Sequence, residues 1–438
     1  MSMATRASAP IVNAVVNDDT SGSNRYIDVL SLYGIGGNVV TLNRTEIGSI
    51  HGSKGVDTVT SSTNFVGSIQ LFDGNDIVNA LAGSISSVDL GEGNDTANIG
   101  SGSVDMLNLG NGNNVVTTGA GFVRAILAGD GNDIATIGAG GAGTVNLDGG
   151  NDFVTTGAGF VDAIFTGRGD DIVHVGPGGV DAGVGYVNLG RGTNLLTIEN
   201  LVDVVFAGQN DDTITIGSGG GVGIIHLGGG NDTLNLGSSG SPTVTDNGGF
   251  DTVTTTVSRK LGDFPNVEQL TLLGGAAISG QGNALNNVII GNSAANFMDG
   301  GAGNDTLIGN AGKDKLIGGF GNDILIGGAG KDTMTGGFGA DVFRFASASE
   351  SPRGAGADVI TDFDDFGNDR IDLSSVFGGT LHYIHTAAFS AAGQVRINNV
   401  PGPDVIVEVN TSGASVAEMQ IRLTHTTVPS MSAADFFL

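Results

Sequence analysis

The chain has 438 residues, of which 78 are glycine and none is cysteine or tryptophan, and 17 Lys+Arg against 45 Asp+Glu leave a formal net charge of −28. These counts exclude disulfides, thiolate zinc sites and cysteine nucleophiles, and so acidic a chain lacks the basic patches that bind nucleic acid or anionic membranes. With only 8 prolines and 39% hydrophobic residues, the glycine content means neither collagen nor plain disorder.

In chain order, the N-terminal segment comes first. Its apolar run Ile11–Val16 is short and is followed by Asp18 and Asp19, so no Sec signal peptide is expected. No stretch reaches the length of a membrane-spanning helix. Residues 1–50 read as an N-terminal cap, in which SNRYIDVLSLYG alternates like a strand.

From residue 51 to 256 a repeat takes over. Its turns are anchored on Asp57, Asp76, Asp95, Asn114, Asp133, Asp152, Asp171, Asn194, Asp212, Asp232 and Asp251, spaced by 19 residues except for steps of 23, 18 and 20. Each unit holds a G-x-G-N-D-like turn, a short apolar alternation, a second glycine turn and another alternation. Gly129–Leu147, GDGNDIATIGAGGAGTVNL, is an example. Period-two alternation over about five residues indicates half-buried strands. Two strands and two turns per unit make one coil of a parallel β-solenoid, whose apolar rows are buried only against neighbouring coils. Glycine serves because both edges turn tightly. The 23-residue step carries an insertion, PGGVDAGVGYVNL, expected to bulge from the second turn edge. Residues 257–281 break the period and read as a connector.

Residues 282–344 have a shorter period. Five consecutive nonapeptides, starting at Gly300, Gly309, Gly318, Gly327 and Gly336, follow G-G-x-G-x-D-x-U-x, and weaker copies start at Gly282 and Gly291. This pattern is identified as the calcium-binding nonapeptide of the RTX proteins. Ca²⁺ takes six or more oxygens at about 2.3–2.6 Å, glycines let a turn aim its carbonyls inward, and the Asp adds charge. The resemblance implies that two nonapeptides make one coil and that copies 18 residues apart share an ion. Gly301, Gly303 and Asp305 would meet Gly318, Phe320 and Asp323, with Gly300 and Ala302 in the same turn. Asn310, Gly312 and Asp314 would meet Gly327, Ala329 and Asp332. Gly319, Gly321 and Asp323 would meet Gly336, Phe338 and Asp341. The weak copies carry Asn287 and Asn296 in place of Asp, so a site there is doubtful or weak.

In the 19-residue coils Asp76, Asp95, Asp133, Asp152, Asp171, Asp212 and Asp232 would form one further ladder of metal ligands, with Asn114 and Asn194 as interruptions that still offer an oxygen. Stacked carboxylates about 4.8 Å apart repel one another, and a row of cations relieves that. The alternative is that these aspartates only close Asx turns. The 19-residue pattern also resembles the solenoid of ice-binding regions in RTX adhesins, where a Thr follows the first glycine of the turn. Here that position holds Glu92, Asn111, Asp130, Gly149, Arg168, Arg191, Gln209 and Gly229, so ice binding is rejected.

Residues 345–438 resemble the C-terminal module of serralysin-type proteases, on GADVFRF at Gly339–Phe345 and DVITDFDDFGNDRIDL at Asp358–Leu373, with FSAAGQVR and EMQIRL further on. The loop Glu408–Gly413 has lost most acidic positions, so no extra ion is expected there. The end, Asp435–Leu438, resembles the uncleaved signal of type I secretion, which implies export without an N-terminal signal and folding outside the cell where calcium is abundant.

No catalytic constellation accompanies these repeats. His51, His174, His226, His382, His385 and His425 form no H-E-x-x-H, and no G-x-S-x-G elbow or Walker loop occurs. Acidic pairs such as Asp170–Asp171 and Asp211–Asp212 sit in repeat turns. The absence of tryptophan weakens any sugar-stacking surface. The expected fold is all-β: a parallel β-solenoid of about ten 19-residue coils, an RTX β-roll and a small β-rich C-terminal module. The expected function is that of a secreted, non-catalytic, calcium-binding structural protein of the bacterial surface or matrix, of surface-layer, biofilm or adhesin type. Its partners would be calcium, the type I secretion machinery, and copies of itself or a cell-surface polysaccharide. The alternative is a secreted enzyme or toxin with a hidden site on the solenoid face.

Overall fold

The computed structural model describes residues 14–17, 26–32, 38–43, 46–62, 65–178, 182–238, 240–363, 368–400, 402, 404–424 and 431–438. It is all-β, a parallel β-solenoid of about 16 turns, with 3₁₀ turns at Leu261–Asp263 and Ala433–Asp435. The chain divides into two compact units, one of residues 1–232 with 239–249 and one of residues 233–238 with 250–438.

In the first unit each coil contributes one strand to each of two parallel sheets. Thr96–Ile99, Val115–Thr118, Ile134–Ile137, Phe153–Thr156 and Ile172–Val175 are successive members of one sheet. Ser103–Asn108, Val123–Leu127, Ala142–Asn146 and Phe160–Phe165 are successive members of the other. The register follows from the repeat, since Ile134 pairs Phe153 and Phe153 pairs Ile172, each step being one coil. Inward positions form continuous apolar rows: Val116, Ala135, Val154, Val173, Leu196 and Ile214 on one sheet, Ile126, Val145, Ile164, Val187, Val205 and Ile225 on the other, all fully buried. Burial of these rows is the main stabilising term, at roughly 1.5–3 kcal/mol for each large aliphatic side chain, and no coil obtains it alone. At the turns the coils approach so closely that a Cβ on Gly93, whose φ is +142°, would run into the carbonyl of Gly74. That explains much of the glycine demand.

Coils also run where the sequence suggested a cap. Val39–Asn43 pairs in parallel with Thr58–Ser61, and Tyr26–Ser31 with Glu46–His51. The parallel stacking therefore extends upstream of residue 51. The inserted residues of the 23-residue step fall between Val175 and Gly183, at the second turn edge, since Thr156 pairs Val175 at 19 while Phe160 pairs Gly183 at 23. The middle of that insertion, residues 179–181, lies outside the described residues.

The second unit repeats the design with shorter coils. Val288–Ile290, Thr306–Ile308, Ile324–Ile326 and Val342–Arg344 stack on one side, and Phe297–Ala302, Lys315–Phe320 and Thr333–Phe338 on the other. The segment read as a connector is built into the stack: Gln269–Leu272 pairs with both Thr252–Thr255 and Val288–Ile290, and Arg259–Lys260 with Ser279–Gln281. The roll continues past residue 344 through Asp358–Ile360 and Arg370–Asp372. It changes character at Met419–Leu423, which joins Asp358–Ile360 in parallel and then starts an antiparallel meander with Val405–Asn410 and Gln394–Asn399. Such a meander covers an edge that would otherwise template further pairing. Residues 364–367 of the acidic DVITDFDDFGNDRIDL stretch lie outside the described residues.

Candidate metal centre

The turn aspartates are buried, although an ionised carboxylate is costly to bury without partners. The reason lies in the stacking. In the nonapeptides one oxygen of each Asp accepts the backbone N–H of the corresponding residue one coil earlier. Asn287 donates to Asp305, Asp305 to Asp323 and Asp323 to Asp341, at 2.7, 2.7 and 2.8 Å. On the opposite turn edge Asn296 donates to Asp314 and Asp314 to Asp332, at 2.7 and 2.8 Å. The second oxygen, Oδ2 of Asp305, Asp314, Asp323, Asp332 and Asp341, is buried and accepts no hydrogen bond. Burial pushes these carboxyls up, to about 7 for Asp314 and about 6 for Asp305, Asp323, Asp332 and Asp341, with backbone donors pulling the other way.

The glycines show how tightly the turns close on these carboxylates. A Cβ on Gly300 would meet both Asp305 Oδ2 and the Gly318 carbonyl, one on Gly318 would meet Asp323 Oδ2 and the Gly336 carbonyl, and one on Gly309 would meet Asp314 Oδ2 and the Gly327 carbonyl. Each of these first-position glycines thus lets a carboxylate oxygen and a carbonyl oxygen of the next coil pack against its backbone so closely that no side chain fits there. Gly327 and Gly336 are packed in the same way against Oδ2 of Asp332 and Asp341. Gly301, Gly303, Gly312, Gly319 and Gly321 have positive φ, and Asn310 holds the same conformation at φ +70°, which Asn tolerates better than most residues. Ala302, Phe320 and Phe338 share one register column. The carbonyls of Phe320 and Phe338 already accept N–H bonds from Gly303 and Gly321, and each keeps a second lone pair. Ala329 lies beside Ala311 in the matching column of the other edge. Every donor is an oxygen, carboxylate or carbonyl, which suits Ca²⁺ and not a thiolate- or imidazole-seeking metal.

The 19-residue coils repeat the arrangement. Asp57 donates its N–H to Asp76, Asp76 to Asp95, Asp133 to Asp152, and Asn194 to Asp212, at 2.6, 2.7, 2.8 and 2.8 Å. The Asp232 carboxylate likewise accepts the Asp212 N–H at 2.8 Å. Oδ2 of Asp76, Asp95, Asp133, Asp152, Asp171 and Asp212 is buried and accepts no hydrogen bond. Desolvation raises Asp76, Asp152 and Asp212 to about 7, and Asp95, Asp133, Asp171 and Asp232 to about 6. One difference separates the two arrays. The residue five before the Asp is glycine in the nonapeptides but Leu71, Leu90, Ala128, Leu147, Thr166, Ala207 or Leu227 here.

The asparagines supply the control. Asn114 was expected to lend an oxygen to the ladder. Its oxygen is used by the Asp95 N–H at 2.9 Å, and its amide nitrogen donates to the carbonyls of Gly112 at 2.9 Å and Gly110 at 3.2 Å. Asn194 does the same toward Gly192 at 3.1 Å. In the weak nonapeptides Asn296 donates to the Ile278 carbonyl at 3.0 Å and Asn287 to that of Glu268 at 3.2 Å. A neutral NH₂ at these positions therefore bonds carbonyls that a carboxylate oxygen cannot bond. Asp57 differs again: Ser53 and Asn38 satisfy both its oxygens.

Two ladder members escaped the sequence reading. The Asp332 N–H donates to Asp358 at 2.7 Å and the Asp341 N–H to Asp369 at 2.9 Å, across 26 and 28 residues instead of 18. Asp358 is fully buried, its Oδ2 accepts no hydrogen bond, and burial pushes it up to about 8. The signal was the D-V-I and D-R-I triplets at Asp358 and Asp369, which repeat the D-x-apolar pattern of Asp323-Ile-Leu, Asp332-Thr-Met and Asp341-Val-Phe after longer loops. The acidic pairs find a structural role, since Asp170 accepts the Thr193 N–H and Asp171 the Asp152 N–H, each at 2.8 Å. In the Glu408–Gly413 loop, Glu408 pairs with Arg396 at 2.6 Å and Asn410 accepts the Gly413 N–H at 2.7 Å.

Residues 281–316 and 308–343 match the family model for the RTX calcium-binding nonapeptide repeat. This stretch is thus made of calcium-binding RTX repeats. No curated protein matches the chain. Among solved structures, it is similar to the R3 subunit of the mannuronan C5-epimerase of Azotobacter vinelandii, at 29% identity over 35% of this chain and 78% of that one, with a TM-score of 0.25. The R2 subunit gives 26% identity over 37% and 92%, with a TM-score of 0.22.

Proposed function

We propose that the chain is a non-catalytic structural protein of the bacterial surface or extracellular matrix, exported by type I secretion and folded by calcium outside the cell. The observation that carries this is the row of buried carboxylate oxygens without hydrogen-bond partners, running through coils of both units. Such oxygens disfavour the fold in calcium-poor cytosol and favour it where the ion is plentiful, so binding energy becomes folding energy. RTX repeats are typical of secreted proteins, and no described helix is long and apolar enough to cross a membrane. The resemblance of residues 345–438 to a serralysin C-terminal module supports the export route. A structural role follows from coils occupying most of the described chain, with their acidic pairs bound into turn backbone. Electron microscopy of the purified protein with calcium and with a chelator tests the reading. Filaments or lattices formed only with calcium are expected. Monomers in both conditions, or turnover of peptide or polysaccharide substrates, would overturn it.

A further inference from the structure

A ladder of rings stands on the outer face of the second sheet of the first unit. Phe165 and Tyr186 lie 5.4 Å apart between centroids, Tyr186 and Phe206 also 5.4 Å, and Phe206 stacks on His226 at 4.2 Å and 25°. Beside the last two rings the strands carry Gly208 and Gly228, paired one above the other. With no side chains there, a groove of about 270 Å³ opens, walled by Phe206 and His226 and rimmed by Asn188, Gln209, Thr245 and Asn247.

The lining is neutral and bifunctional. The Asn188 oxygen accepts the Gly190 N–H at 3.0 Å, which leaves its NH₂ for a ligand. Thr245 holds the His226 ring through Nδ1 at 2.5 Å, and the Asn247 side-chain amide stands at the rim. No Lys, Arg, Asp or Glu lines the groove among the described residues. An aromatic platform edged by amides and a hydroxyl suits a molecule with an apolar C–H face and a rim of hydroxyls. The volume lies just below the roughly 300–1,000 Å³ of drug-sized ligand pockets, which fits a single ring. The groove lacks a cation for a phosphate, sulfate or carboxylate. The missing tryptophan is made good here by smaller rings that the coil repeat lines up.

We propose that this groove binds one pyranose ring of a neutral polysaccharide. The inference deepens the matrix or adhesin reading and rests on it for its setting, while the site itself is built from 19-residue coils and not from the nonapeptides. The calcium-loaded full chain is titrated with cellohexaose, maltohexaose, a neutral agarose hexaose and, as the charged arm, a mannuronate hexamer. Saturation-transfer NMR and calorimetry report binding. At least one neutral hexaose is expected to bind, about fivefold more weakly to Phe206→Ala, since an aromatic contact is worth about 1 kcal/mol. Phe153→Ala, on the other sheet, is expected to bind as the wild type does. Asn247→Ala, at an exposed position, gives a second reading if Phe206→Ala fails to fold. Failure of all three neutral sugars, binding of the charged hexamer alone, or equal binding by Phe206→Ala and Asn247→Ala would each overturn the proposal. If filaments or lattices still form only with calcium in that case, the groove fails and the structural reading stands.

Discussion

The backbone N–H of Asp305 donates to Oδ1 of Asp323, 18 residues later, at 2.7 Å, while Oδ2 of Asp323 stays buried without a hydrogen bond. One carboxylate thus ties two coils together and reserves an oxygen for a cation. Calcium should therefore act on folding itself. Adding it to chelator-treated protein is expected to raise β-sheet circular dichroism and the melting temperature. Each site would contribute about 2.7 kcal/mol once free calcium is a hundredfold above its Kd. Unchanged spectra and melting on calcium addition would sink this expectation.

The raised carboxyls set a pH dependence with a definite sign. Asp76, Asp152, Asp212 and Asp314 are pushed to about 7, from a reference of 3.8, mainly by burial. The ion-free fold then holds more protons than the unfolded chain between these values, so its stability falls as pH rises from about 4 to about 7. Neighbouring carboxylates such as Asp95 beside Asp76 and Asp332 beside Asp314 act in the same direction. With calcium bound, protons compete for the same oxygens and the trend reverses. Urea midpoints in chelator should decrease from pH 5 to pH 8, and those in calcium should increase. Parallel trends in the two series would refute the assignment.

Asp323 can be tested in two ways. Asp323→Asn keeps an acceptor for the Asp305 N–H and adds an NH₂ able to take a carbonyl, as Asn296 does with Ile278. It should lose calcium uptake yet retain the chelator-treated stability of the wild type or exceed it. Asp323→Ala leaves the buried Asp305 N–H without its acceptor and should cost about 1–3 kcal/mol in chelator. Calcium counts by mass spectrometry and chemical denaturation read the two effects separately.

The coil design was legible because repeat spacing is a covalent record of coil length. A turn Asp every 19 or 18 residues forces the strands between them into register, and Asp95, Asp133 and Asp323 lie where that spacing puts them. Legibility failed where coils lack the turn signature. The strands Tyr26–Ser31, Val39–Asn43 and Glu46–His51 join the stack with no G-x-G-N-D to mark them, and Gln269–Leu272 continues it through a segment whose loops break the period. Asp358 and Asp369 were hidden for the same reason, since 26- and 28-residue steps do not show as a repeat. The role of Asn114 was out of reach in principle. Spacing shows that an amide stands in the ladder, but only geometry shows which end faces the carbonyls.

The first-position glycines make a steric prediction. Gly318→Ala would place a methyl group against Asp323 Oδ2 and the Gly336 carbonyl. It should weaken calcium-induced stabilisation sharply, because the added Cβ would run into these two oxygens and push them out of place. Gly262→Ala is the matched control, since a Cβ there meets nothing within 4 Å. Calcium-dependent melting should be lost or lowered by several degrees in the first variant and kept in the second. Equal behaviour would show that Asp323 Oδ2 and the Gly336 carbonyl do not hold the ion.

Asn114→Asp turns the break in the first ladder into a test of the whole scheme. The Asn114 nitrogen donates to the carbonyls of Gly112 and Gly110 at 2.9 and 3.2 Å. An aspartate there would point an oxygen at those carbonyls, and like dipoles and charge would repel. In chelator the variant should lose about 1–3 kcal/mol, the cost of a buried polar group left unpaired. In calcium the same three oxygens become a ligand set continuous with Asp95 and Asp133, so the variant should bind additional calcium and recover or exceed wild-type stability. The substitution is thus expected to change sign between the two conditions. A loss of equal size in both would mean that the turn aspartates only cap backbone, and the cation ladder of the 19-residue coils would fall with it.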